Sequence, residues 1–296
     1  MNVIRTIAEA RAFIQSRQHE GSGAVGLVPT MGYLHEGHAS LMRKAREMCG
    51  TVVVSIFVNP IQFGPGEDYE TYPRDEARDL ALAEAEGVDA VFIPSVEEMY
   101  PQPTKTKITV AEITSLLCGA SRPGHFDGVT TVVSKLFHII KPAYAFFGMK
   151  DAQQVAVIEQ MVRDLNMDVS IVPCPIIREQ DGLALSSRNV YLSPEERRQA
   201  LVLSASLKAA QALIEQNPEV TAGEIRTLLR EHITQSPLAD IDYAEVLTFP
   251  ELSPIADSER VAGTDRGVIM ALAVRFGRTR LIDNALIQPK VGDSHV

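Results

Sequence analysis

Two histidines three residues apart, His35 and His38, end the run Gly26-Leu27-Val28-Pro29-Thr30-Met31-Gly32-Tyr33-Leu34-His35-Glu36-Gly37-His38. On a first helical turn that spacing puts both imidazoles on one side. Ahead of them an apolar run, Ala24 to Val28, stops at Pro29; behind them apolar residues recur at helical spacing through Leu41, Met42, Ala45 and Met48. The pattern reads as strand, turn, helix. Proline and glycine in the turn let the backbone come close to a ligand, and the helix start supplies unpaired N–H groups and the positive end of a dipole. These are the ingredients of a phosphate site, where two donors able to carry positive charge meet a bound polyphosphate. A zinc site would need a third and fourth ligand at recognisable spacing, and no His or Cys cluster elsewhere in the sequence supplies them.

Three further stretches hold polar groups of the same kind. Asn59 and Gln62 follow the apolar run Thr51 to Val58 and so emerge at the carboxyl end of a strand, where open α/β sheets bind ligands. The loop Gly119 to Gly128 carries Arg122 and His125 beside an apolar helix, which makes it an active-site candidate. Gly148-Met149-Lys150-Asp151-Ala152-Gln153-Gln154 is again a glycine turn feeding a helix, and Arg178 to Asn189 is a polar loop.

The elements that must position these groups follow from the hydrophobic pattern. Residues 3 to 18 read as an amphipathic helix. Thr51 to Val58 is almost continuously apolar and β-branched, as expected of a strand buried on both faces of a parallel sheet. A helix is expected from Asp75 to Glu86, a strand at Val88 to Ile93, a short strand and short helix within 105 to 117, a helix from Val129 to Ile140, a strand at Tyr144 to Phe147, a helix ending near Leu165 and a strand at Val169 to Val172. This alternation predicts an α/β fold with a Rossmann-like doubly wound parallel sheet. From Arg178 onward the texture changes. Ser193 caps a helix with Pro194 at its first position, two helices span 194 to 216 and 221 to 235, and Ile241 to Thr248, Val268 to Phe276 and Arg280 to Ile287 read as a smaller antiparallel sheet. The expected division is residues 1–177 and a smaller α+β C-terminal domain over 178–296, with a frayed tail after Lys290.

Composition sets the outer bounds. With 296 residues, 45% of them hydrophobic, the chain can bury a substantial core. No run approaches the roughly 18 apolar residues of a membrane span, and no basic-then-apolar leader opens the chain, so a cytoplasmic protein without a membrane partner is expected. Cys49, Cys118 and Cys174 are widely spaced and odd in number, which fits a reducing compartment. A net charge of −10 disfavours nucleic acid as a partner.

The motifs Pro-Thr-Met-Gly-x-Leu-His-x-Gly-His, Ser-Ile-Phe-Val-Asn-Pro-x-Gln-Phe, Arg-Pro-Gly-His-Phe, Gly-x-Lys-Asp-x-Gln-Gln and Asp-Gly-Leu-Ala-Leu-Ser-Ser-Arg-Asn follow one another in order between Pro29 and Asn189. Together they resemble the pantoate–β-alanine ligases, within the HIGH-type nucleotidyltransferases. The resemblance implies a homodimer that joins (R)-pantoate to β-alanine with ATP and Mg²⁺, through a pantoyl adenylate, releasing AMP and diphosphate. It implies that ATP is held by Met31, Gly32, Tyr33, Leu34, His35, Glu36, Gly37 and His38, by Gly148, Met149, Lys150 and Asp151, by Leu185, Ser186, Ser187 and Arg188, and by the backbone near Ile177. His38 is implied as proton donor, with His35, Lys150 and Arg188 as the other catalytic donors. Gln62 and Gln154 are placed on pantoate, Gln62 also on β-alanine, and Asp79 near the magnesium.

Two positions depart from the family pattern. Met149 and Cys118 stand where members commonly have Glu, and the expectation is that the two side chains compensate by packing together. They also motivate an alternative, a nucleotide-binding protein of this fold with weak or no turnover. A simple nucleotidyltransferase is disfavoured by the neutral Gln62 and Gln154, since a phosphate acceptor calls for more cations. A tRNA-dependent relative is disfavoured by the short second domain and the acidic chain.

Overall fold

The computed structural model describes residues 1–263 and 265–288. The tail after Lys290, expected to fray, lies outside the described residues. The apolar run at Thr51 becomes the third of six parallel strands: β1 (Asn2–Ile4), β2 (Val25–Thr30), β3 (Thr51–Ile56), β4 (Ala90–Phe92), β5 (Tyr144–Gly148) and β6 (Ser170–Cys174), in the spatial order β1-β4-β3-β2-β5-β6. Interleaved with them run the helices α1 (Ile7–His19), α2 (Glu36–Met48), α3 (Glu76–Ala85), α4 (Val96–Met99), α5 (Leu117–Ser121), α6 (His125–Ile140) and α7 (Ala152–Asp164).

The continuous apolar strands are explained by layers on both faces. Leu27, Val53, Phe92 and Phe147 join one cluster with residues of α1, α6 and α7, while Val28, Val52, Val54, Val91 and Phe146 join another with α2 and α3. Successive side chains of one strand therefore enter opposite cores.

After the sheet come α8 (Pro194–Ala200), α9 (Val202–Gln216) and α10 (Ala222–Thr234), then the antiparallel strands β7 (Ala239–Phe249), β8 (Gly267–Phe276) and β9 (Thr279–Ile287) in the order β7-β8-β9. Their core is separate, but a smaller cluster joins the two sheets through Leu117, Ala152, Ala156, Leu247 and Ile269, with Met149 packed against it. Among the described residues no helix is long and apolar enough to cross a membrane.

Three local expectations are corrected. The first helix begins only at Ile7, because Thr6 and Glu9 close a capping box there; Asn2–Ile4 instead pairs with β4 at the sheet edge. No strand forms within 105–110. Both backbone groups of Ile108 are satisfied by α6, its N–H donating to Thr131 Oγ1 and its carbonyl accepting from Thr130 Oγ1. The helix expected over 194–216 is two, α8 and α9, meeting at Leu201.

Candidate active site

The polar motifs converge at the carboxyl ends of β2 and β5, where strand order reverses and the sheet opens a crevice. The turn after β2 is built from its own backbone. Thr30 Oγ1 accepts from Gly32 N and donates to Ser55 O, and Gly32 adopts φ +84°. A Cβ there would stand 2.9 Å from Ile56 Cγ2 and 3.0 Å from Asp79 Oδ2, so the position requires glycine. Beneath the turn the buried Asp79 carboxylate accepts from Tyr33 N at 2.8 Å and Leu34 N at 2.6 Å. Asp79 therefore holds the motif in shape from below rather than facing the cavity.

His35 is the N-cap of α2, and Nδ1 of its ring accepts from Gly37 N at 3.1 Å. His38 Nδ1 in turn accepts from His35 N at 3.2 Å, and the two rings lie 4.1 Å apart at 40°. With both Nδ1 atoms accepting, each neutral ring carries its proton on Nε2. Burial, then the nearby Lys150 and Arg78 charges, push His35 down to about 4. Burial, then neighbouring His35, push His38 down to about 3. At neutral pH the pair therefore offers two uncharged N–H donors.

Gln62 is fixed from several sides. Its Oε1 accepts from Asn59 Nδ2 at 3.1 Å, and its Nε2 lies 3.1 Å from Met31 Sδ. Asn59 also donates to Gly128 O and accepts from Tyr100 Oη. Helix α6 packs so closely on the 60–62 turn that a Cβ on Gly128 would be 2.5 Å from Gln62 Cα. His125 Nδ1 donates to Gln62 O at 2.8 Å, while its Nε2 accepts from Arg122, which is paired to Glu67. The loop read as an active-site candidate thus supports Gln62.

The remaining cations come from two loops. Lys150 Nζ lies 2.9 Å from Asp151 Oδ2, and that pairing outweighs the cost of burial to keep the Asp151 carboxyl below its usual range. Arg188 is bidentate to Asp68. Ser187 Oγ donates to Tyr33 O, joining the loop to the histidine motif.

One cavity is lined by Met31, His35, Gly37, His38, Gln62, Gly148, Lys150, Asp151, Gln154, Ile177 and Leu185 to Arg188. Of the other expected nucleotide contacts, Gly32 and Leu34 are buried in the turn, Tyr33 stacks with Arg78, and Glu36 faces outward to pair with Arg43. Met149 turns its side chain to the seam between the sheets. Cys118 Sγ lies 3.2 Å from Tyr243 Oη and 3.4 Å from Arg280 Nη1, so both departures from the family pattern face the C-terminal strands.

Sequence reasoning missed the apolar wall of this cavity, Val129, Val132, Val133 and Leu136 on α6, as well as Tyr72. The α6 residues read simply as a core face. A second cavity adjoins the first and shares Lys150, Asp151, Gln154, Ser186 and Arg188 with it, while Arg122, Arg278 and Arg280 line its far side.

Among the described residues no group of three or more His, Cys, Asp or Glu is arranged to hold a metal. The carboxylates that line these cavities, Glu67, Asp68, Asp151 and Asp283, are each paired with a cation. Such a donor set fits a magnesium ion held mostly by phosphate oxygens and water rather than by a protein cage.

Comparison with known proteins shows the family. The family model described as pantoate-beta-alanine ligase matches residues 2–286. A pantothenate synthetase of Pelotomaculum thermopropionicum is 56% identical over 288 residues, covering 97% of this chain and 99% of that protein. A crystal structure of pantothenate synthetase from Thermus thermophilus superposes with TM-score 0.88 at 47% identity, covering 96% of this chain and 99% of that one. The pantoate-beta-alanine ligase of Francisella tularensis, complexed with beta-gamma ATP and beta-alanine, superposes with TM-score 0.75 at 33% identity, covering 97% of each chain.

Proposed function

The chain belongs to the pantoate–β-alanine ligase family, and from that premise we propose how its residues divide the work of joining pantoate to β-alanine at the expense of ATP. The observation that carries the reading is the single cavity in which His35, His38, Lys150, Ser186, Ser187 and Arg188 face Gln62 and Gln154.

In the first half-reaction the pantoate carboxylate attacks the α-phosphorus of ATP, forming an acyl–phosphate bond as diphosphate leaves. Negative charge grows on the transferring group and on the leaving diphosphate, so the protein contributes positioning and preorganised donors. Nε2–H of His35 and His38, Nζ of Lys150, the hydroxyls of Ser186 and Ser187 and the guanidinium of Arg188 supply them. The backbone around Ile177 borders the adenine. Gln62, its amide oriented by Asn59, and Gln154 take the hydroxyls and carboxyl end of pantoate, with the apolar α6 wall against its methyl groups.

In the second half-reaction the unprotonated amine of β-alanine attacks the acyl carbon, AMP leaves with the phosphate oxygen, and the nitrogen gives one proton to the departing phosphate while keeping one N–H in the amide. Gln62 and the cavity continuous with the first at Lys150 and Gln154 serve this step. Magnesium, delivered with the nucleotide, would neutralise phosphate charge, with Asp151 the nearest carboxylate to Lys150. The division at 177/178, a cytoplasmic location and a homodimer complete the reading, supported by the motif pattern along the chain. Met149 and Cys118 are accommodated at the seam. Family membership at this identity supports an active ligase rather than a binding protein without turnover.

The test is release of AMP and diphosphate from Mg-ATP by purified protein with pantoate alone, with β-alanine alone and with both. Sustained AMP release only with both substrates, with pantothenate identified by mass, is the expected result; ATP binding without turnover would refute the ligase reading.

A further inference from the structure

Two adjacent residues of β9 reach both loops that carry the cationic donors. The side-chain amide of Asn284 donates to the carbonyls of Met149, at 2.8 Å, and Lys150, at 3.0 Å. These carbonyls belong to the one tight turn, Met149–Asp151, that joins β5 to α7 and sets where Lys150 Nζ emerges. Asp283 receives both Nη atoms of Arg178, at 2.6 and 2.8 Å. Arg178 also donates to Gly182 O and bridges to Ala184, so it closes the hairpin that leads directly into Leu185 to Arg188. Asp283 Oδ1 further accepts from the backbone N–H of Asn284, which fixes the carboxylate on the strand.

Asp283 and Asn284 are only 3% and 5% exposed. Burying an amide and a carboxylate is unfavourable unless their hydrogen bonds are made. Here they are made across the seam, to loops of the nucleotide site, and not within the C-terminal core.

We propose that Asp283 and Asn284 are positioning residues for adenylation. They hold the Lys150 turn and the Arg178–Ala184 hairpin at one separation, so that Lys150 and the Ser186–Arg188 segment meet the same phosphates. Placement matters steeply here, since a displacement of about 1 Å at a catalytic group costs on the order of 100-fold in rate. The C-terminal strands thereby take part in adenylation from outside the nucleotide cavity, which neither residue lines, although both border the adjoining one.

The inference rests on the assignment of Lys150 to the triphosphate, and the experiment separates the two. Single-turnover formation of pantoyl adenylate from Mg-ATP and pantoate is measured for Lys150→Ala, Asn284→Ala, Asn284→Asp and Asp283→Asn, alongside KM for pantoate and Tm. Asn284→Ala and Asp283→Asn are expected to lower Tm, as the loss of buried hydrogen bonds requires, and in the folded fraction to slow adenylation roughly 10- to 100-fold with KM for pantoate close to that of the unsubstituted protein. Asn284→Asp keeps the shape but offers no donor while ionised, so its rate should be low at pH 8 and recover in part on acidification, as the carboxyl gains a proton to donate. It also keeps the test open should the alanine variant fold poorly. A slow Lys150→Ala with fast Asn284 and Asp283 variants overturns the positioning role alone. A fast Lys150→Ala removes the assignment beneath it. Variants that lose Tm and pantoate affinity while the adenylation rate of the folded fraction is unchanged assign the pair to structure only and also overturn the inference.

Discussion

Arg188 presents Nε and Nη2 to the two oxygens of Asp68, each at 2.9 Å, with its guanidinium 5.7 Å from the centre of the Tyr72 ring. An arriving phosphate must compete with this carboxylate for the same fork of N–H groups. Asp68→Asn keeps the shape and removes the charge. Binding of ATP and of inorganic diphosphate, followed by calorimetry, is expected to tighten several-fold; weaker binding would mean that Asp68 aids the approach of phosphate instead.

His38→Ala is expected to slow adenylate formation by roughly 100- to 1,000-fold, the usual cost of losing one preorganised donor. Its circular dichroism should be unaltered. His38→Gln returns an N–H donor near the position of Nε2 and should recover a measurable part of the rate. A glutamine variant as slow as the alanine one would indicate that the imidazole does more than donate a hydrogen bond.

The acid side of the stability profile follows from three imidazoles. His35, His38 and His125 sit at about 4, 3 and 4, below the ordinary 6.5, chiefly through burial. Above 6.5 they are neutral in the folded and unfolded chains alike and add nothing to the pH dependence. Below it the unfolded chain takes up protons that the folded chain does not, so folding is progressively destabilised down to the folded values. Tm should therefore fall between pH 6.5 and 4, while kcat/KM for ATP shows no inflection near 6.5. An inflection there would place a titrating imidazole in the free enzyme.

Asp79→Asn distinguishes a turn-holding carboxylate from a metal ligand. Asparagine keeps one acceptor oxygen for the two N–H groups of Tyr33 and Leu34, so thermal stability should drop by the equivalent of about 1–3 kcal/mol. The magnesium concentration giving half-maximal rate should not move. A large rise in that concentration, with Tm intact, would return Asp79 to the metal.

The legibility of the sequence was uneven, for physical reasons. Periodicity located the parallel strands because each faces two cores and so must be apolar throughout, as Thr51–Ile56 is. It failed at Asn2–Ile4, a three-residue edge strand whose partner β4 is distant in sequence. It failed again near Ile108, whose backbone is satisfied by threonine hydroxyls of α6 rather than by a strand.

For the site, residue types and spacing singled out His35, His38, Asn59 and Gln62, because a turn at a strand end presents its side chains wherever the strand ends; Lys150, Gln154 and Arg188 were named only by the resemblance of the ordered motifs. The charge state of the histidines was not available from spacing. It depends on how deeply the rings are buried and on which backbone N–H each Nδ1 accepts, and both are set by the packed turn.

What the sequence alone determined, then, is the family, the sheet and the list of polar groups at its carboxyl edge. The tertiary structure decided the partners: Asp79 under the turn, Asp68 on Arg188, and Asn284 on the Lys150 turn from 134 residues away. Hydrogen bonds and ion pairs act over a few ångströms, and their geometry is created only when distant segments are brought to that range.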